Sequence, residues 1–190
     1  GWKAHSLNPQ RNVLILACGF LGVAILDFSH MLSFAGMPDY ITPNSVAKGI
    51  NFWLPARYLG ALTLLAAVTL HWRVPGDAAA PGPGRFVVLM LVLTAVAAIH
   101  AVVFWFPQWY PQTYDDQGLT RFKIASEYGV VALYAASLGV LLHWARERAA
   151  FDVARLFAAV WVMALSEFFF TFYIIATDPF NLLGHISVSY

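Results

Sequence analysis

Apolar residues in this chain fall into five long runs, separated by short stretches of Pro, Gly and charge. The runs extend roughly from Val13 to Phe34, Phe52 to Trp72, Phe86 to Phe106, Ile124 to Trp144 and Val153 to Ile175, and a further one starts near Asn181. Each is close to the ~20 residues that carry a helix across a hydrocarbon core. Intervening segments such as RVPGDAAAPGPGR and ARERAAFD are short loops, and no internal repeat is visible. The pattern predicts an all-α, polytopic transmembrane helix bundle with five full spans and the start of a sixth.

Composition fits that picture. The chain is 60% hydrophobic and only 11% charged, with a mean hydropathy of +0.66, whereas a soluble domain is roughly a quarter charged. The lipid bilayer is therefore the expected solvent and first partner. A net charge of +1 argues against a nucleic-acid partner. The single cysteine, Cys18, excludes a disulfide within the chain. No signal peptide is visible.

Lys and Arg set the expected orientation. Lys3, Arg11, Arg73, Arg85, Arg146, Arg148 and Arg155 share one side, which should be cytoplasmic. Lys48, Arg57, Arg121 and Lys123 lie on the other, offset by Asp39, Asp115, Asp116 and Asp178. That second side also carries Trp53, Tyr58, Trp105, Trp109, Tyr110 and Tyr114, the composition of an interfacial aromatic belt.

Against this background the ionisable residues inside the apolar runs stand out. With the expected topology Asp27, His30, His100, Glu127, Glu167 and His185 all fall near the outer side, and Arg57 begins the second span at the same level. Such groups are expensive in hydrocarbon, and they face a bundle interior or a watery cavity. Asp27 and His30 are three residues apart and share a helix face; Glu167 and Thr171, and Asn181 and His185, are four apart and do the same. Ser29 beside His30 is no catalytic dyad, because adjacent helical residues point apart. Nothing matches a nucleotide loop, a nucleophile elbow or a CxxC motif.

Four blocks, LGVAILDFSHMLSFAGMPD, INFWLPARYLGALTLL, LTRFKIASEY and SEFFFTFYIIATDPFNLLGH, resemble in order and spacing the bacterial membrane-associated sensor domain of the third type, a MASE family. The resemblance covers nearly the whole chain, so residues 1–190 are expected to form one integral-membrane sensor domain of the bacterial inner membrane. It implies that Asp27, His30, Gly36, Met37, Trp53, Arg57, Lys123, Glu127, Glu167, Thr171, Asn181, Gly184 and His185 occupy the family's motif positions. It also implies a further span before Gly1, completion of the last spans after His185, and a cytoplasmic output domain such as a diguanylate cyclase, phosphodiesterase or histidine kinase. The chain is thus expected to be a piece of a longer protein, itself without enzyme activity, and to form a homodimer.

The expected ligand site combines His30, His185, Glu167, Glu127, Asp27, Arg57, Asn181 and Lys123. Imidazoles at one depth on different helices suit a metal or haem; with His30, His185 and Glu167 as ligands, carboxylates favour zinc or iron over copper. Asp27 would then orient an imidazole ring. The alternative for these residues is a polar network, with Arg57 or Lys123 paired to Asp27 or Glu127, that only packs helices. His100 lies outside the best-matching blocks and is expected to be a lone, satisfied histidine. Three functional readings follow: a sensory input module that binds a small ligand or cofactor, an intramembrane metal-dependent enzyme, and a structural anchor that dimerises.

Overall fold

The computed structural model describes residues 11–69, 84–116, 118–147 and 158–166. The chain divides into two compact units, residues 1–110 and 111–190. Among its described residues the first contains three α-helices, α1 (Arg11–Leu32), α2 (Val46–Thr69) and α3 (Arg85–Trp105). The second contains α4 (Arg121–Glu147). All four are long and apolar enough to cross a membrane. They correspond to the first four apolar runs. Residues 158–166, within the fifth run, are helical; the rest of that run and the start of the sixth lie outside the described residues.

Two helix starts differ from expectation. α2 begins at Val46 rather than Phe52, and α4 at Arg121 rather than Ile124. The cause is capping. Ser45 Oγ accepts the backbone N–H of Lys48 at 3.0 Å, and the Ser45 carbonyl accepts that of Gly49 at 3.1 Å. Thr120 repeats the arrangement, its Oγ1 accepting from Lys123 N–H at 3.3 Å and its carbonyl from Ile124 N–H at 3.1 Å. Each cap satisfies a donor that a helix start otherwise leaves orphaned. A hydropathy run begins only where apolar residues begin, so it leaves out the polar first turns of both helices. The shift carries Lys48 and Lys123 inside helices.

In the first unit α1 packs most extensively on α2 and less on α3. Val23 and Leu26 of α1, Phe52 and Ala56 of α2, and Val96, Val103 and Phe104 of α3 form the core. The close approach rests on two glycines. A Cβ on Gly19 would stand 2.2 Å from Thr63 Oγ1, and one on Gly22 would stand 2.6 Å from Val92 Cγ1. Membrane helices use small residues in this way because packing, not water exclusion, draws them together. α3 leaves Phe86, Met90 and Leu91 exposed, as expected of a face turned to lipid.

The loop between α1 and α2 is tied down from below. Asn44 Nδ2 donates to the Leu32 and Pro38 carbonyls, each at 2.9 Å. Lys48 Nζ donates to the carbonyls of Tyr40 (2.6 Å) and Thr42 (2.8 Å), on either side of Ile41, and to Asn44 Oδ1 (3.0 Å). Ile41 has φ 64°. That left-handed conformation costs a β-branched residue about 1–2 kcal/mol, and the ammonium gripping both neighbours offsets it.

In the second unit a two-residue hairpin, β1 (Tyr114–Asp115) against β2 (Gly118–Leu119), leads into α4. Lys123, Glu127, Val130, Tyr134, Ser137 and Leu141 are all buried. Their spacing alternates between four and three, so they form one stripe along the helix.

Candidate functional site

Asp27 and His30 stand one turn apart near the end of α1. Arg57, from α2, reaches Asp27: its Nη2 donates to Oδ1 and Oδ2, each at 2.5 Å. The earlier start of α2 places Arg57 well inside that helix rather than at its beginning, as the sequence had suggested. The Arg57 side chain is 10% exposed and that of Asp27 37%. The cation is thus the buried partner and the carboxylate the half-open one. The guanidinium carbon also lies 5.9 Å from the centre of the Trp53 ring, within cation–π range.

His30 is oriented by α2 as well. Its Nδ1 is 2.9 Å from the Gly49 carbonyl oxygen. A carbonyl only accepts, so Nδ1 carries the proton. In the neutral ring the remaining nitrogen, Nε2, is then a lone-pair acceptor. The same logic fixes His100. Its Nδ1 donates to the Val96 carbonyl at 2.8 Å, and its Nε2 is 2.8 Å from Ser29 Oγ. Phe52 and Phe104 flank this ring, with centroids 5.0 and 5.8 Å away. Ser29 is buried, and its single hydroxyl proton is shared between His100 Nε2 and the Ile25 carbonyl, 3.1 Å away. The hydroxyl's imidazole partner is thus His100 on α3, and the pair ties α1 to α3.

Sequence reasoning gave Lys48 no role, having counted it as a loop charge. It is 7% exposed, and Tyr40 and Phe104 put ring centres 5.6 and 5.4 Å from its Nζ. The signal that would have found it is the Ser45 cap three residues earlier. Just beyond α3, burial pushes the Tyr110 phenol up to about 12, the neighbouring Tyr58 adding to the effect.

In the second unit Lys123 Nζ donates to Glu127 Oε1, and both side chains are buried. Among the described residues the other carboxylate oxygen, Oε2, has no hydrogen-bond partner. Both residues belong to α4, so this pair neutralises charge along one helix and does not bridge two. Of the cation–carboxylate pairings expected from sequence, Arg57–Asp27 forms within the first unit and Lys123–Glu127 within the second. Glu167, Thr171, Asn181, Gly184 and His185 lie outside the described residues. Among the described residues no three His, Cys, Asp or Glu side chains gather as metal ligands would.

A family model for the membrane-associated sensor domain MASE3 matches residues 1–188. The chain belongs to the MASE3 family. No curated protein and no solved structure matches it. Membership gives this MASE3 chain a sensory input role, and its apolar helices make it a multi-pass membrane protein. The Asp27–Arg57 pair, His30 and Trp53 thus belong to a domain whose work is reception.

Proposed function

We propose that this MASE3 domain receives its signal at the Asp27–His30–Arg57 site in the outer leaflet of a bacterial inner membrane and passes it to a cytoplasmic diguanylate cyclase, phosphodiesterase or histidine kinase. The observation that carries the reading is the contact of a buried Arg57 on α2 with a half-exposed Asp27 on α1. A ligand that engages the open carboxylate competes with, or reinforces, the bond that sets α1 against α2. Signalling requires that the ligand prefer one of two packings, since equal affinity shifts nothing. Two copies of the chain work as a homodimer.

The test is a fusion of the chain to a diguanylate cyclase reporter. Asp27→Asn removes the charge that Arg57 holds, and Arg57→Leu removes the holder. Each should lock cyclic-di-GMP output at one level. Output that stays regulated in both variants would exclude the pair from signalling.

A metal or haem at His30 is the second reading, favoured by the available Nε2. It would draw on His185 and Glu167 as further ligands and would supply a bound gas, redox or Lewis-acid response. Metal analysis and an absorption spectrum of the purified chain test it. A haem Soret band, or stoichiometric zinc or iron lost in His30→Ala, supports it; metal at background excludes it. The enzyme and anchor readings gain no comparable observation.

A further inference from the structure

Counting hydrogens around the α1–α2 contact restricts what can bind there. His30 spends its Nδ1 proton on the Gly49 carbonyl, so neutral His30 offers only the Nε2 lone pair. Asp27 is held by one nitrogen of Arg57 and is 37% exposed. Its carboxylate accepts only, with lone pairs to spare. The guanidinium that supplies donors sits behind it, 10% exposed. Among the described residues, Asp27 and His30, one turn apart, therefore give the open polar edge acceptors and no donors. Its occupant must bring donors.

Charge narrows the class further. Asp27 is paired with Arg57, so its carboxylate is less available to a hard divalent cation, which wants several anionic oxygens. Among the described residues no third His, Cys, Asp or Glu joins His30 and Asp27 as a ligand. A charged amine would have to leave water for the last turns of an apolar span, which is costly. A neutral hydroxyl meets none of these objections.

The surroundings supply the rest. Met31, four residues after Asp27 and so on its face, and Phe28, three residues before Met31, are 62% and 60% exposed. They lie in a span long and apolar enough to cross a membrane. A molecule reaching the two acceptors along this helix crosses apolar surface first. We infer that the Asp27–His30 edge binds a neutral, membrane-dissolved amphiphile through hydroxyl donors, its apolar body lying against Phe28 and Met31. This rests on the sensory reading above and names the class of molecule sensed.

The test uses the full chain in phosphatidylcholine nanodiscs under argon, with decylhydroquinone and its dimethyl ether as probes. The two share ring and tail, and only the first carries O–H donors. Binding is read by ligand depletion and by the shift in melting temperature. On the unaltered chain the hydroquinone should bind about tenfold tighter than the ether, the factor expected for one hydrogen bond of ~1.4 kcal/mol. His30→Phe keeps an apolar ring, removes one of the two acceptors, and should lower the ratio. Equal binding of the two probes to the unaltered chain overturns the inference without reference to any variant. So does His30-dependent saturation by zinc with no response to either probe, which would mark a metal site. The reporter fusion separates the two readings. A hydroxyl preference without any change in cyclic-di-GMP leaves the ligand class standing and removes the sensory role. A reporter that responds equally to the ether keeps the role and removes the class.

Discussion

At the residue scale the membrane makes each buried charge a constraint that the surrounding groups must answer. Asp27 answers Arg57, Glu127 answers Lys123, and a ring of carbonyls answers Lys48. The two ion pairs differ in consequence. Breaking Arg57–Asp27 alters how α1 meets α2, whereas Lys123–Glu127 lies within α4. Lys123→Met should leave the buried Glu127 carboxylate without its cation and destabilise the fold by about 3–5 kcal/mol, the usual cost of orphaning one member of a buried pair. Lys123→Met combined with Glu127→Leu should recover most of that loss, because an apolar pair of similar size needs no neutralising. Thermal melts of the three proteins in detergent check the ordering. A double variant no more stable than Lys123→Met would give Glu127 a structural role of its own.

At the element scale, legibility followed the physics of each signal. The apolar runs located α1 and α3 to within two residues at each end, because α3 and the body of α1 are apolar almost throughout. The starts of α2 and α4 were missed because their first turns are polar, held by Ser45 and Thr120 caps that a hydropathy window averages away. The site suffered in the same way. Spacing alone put Asp27 and His30 on one face, but their partners on α2, Arg57 and Gly49, are fixed by helix packing, which no local pattern encodes. The Ser29–His100 bond, 71 positions apart in sequence, is the extreme case. The α1–α2 loop makes this testable. Asn44 and Lys48 hold its carbonyls, so Asn44→Ala should speed amide hydrogen exchange across residues 37–42 while leaving the interior of α2 protected. Unchanged exchange in the loop would mean that Lys48 alone suffices.

At the scale of the whole molecule, the orientation of the site rests on charge. Of the four cations assigned to the outer side, Lys48, Arg57 and Lys123 are buried within helices. They hold internal partners and do not contribute as loop charges. Only Arg121, at the first residue of α4, remains. The asymmetry in favour of the side bearing Arg73 and Arg85 is therefore steeper than the raw count, and the positive-inside rule assigns that side to the cytoplasm. The Asp27–His30 edge is at the opposite end of the first unit, since Lys48 stacks over Phe104 near the end of α3 while Arg85 begins it. Cysteines introduced singly at Ala79 and Gln108 should decide the matter, because the native Cys18 is buried and free. Gln108, exposed just beyond α3, should react with a membrane-impermeant maleimide on spheroplasts; Ala79 should react only after lysis. The reverse pattern would turn the site towards the cytoplasm. The sensed amphiphile would then have to enter from the inner leaflet, while the acceptor-only edge, and with it the preference for a hydroxyl donor, would be unaffected.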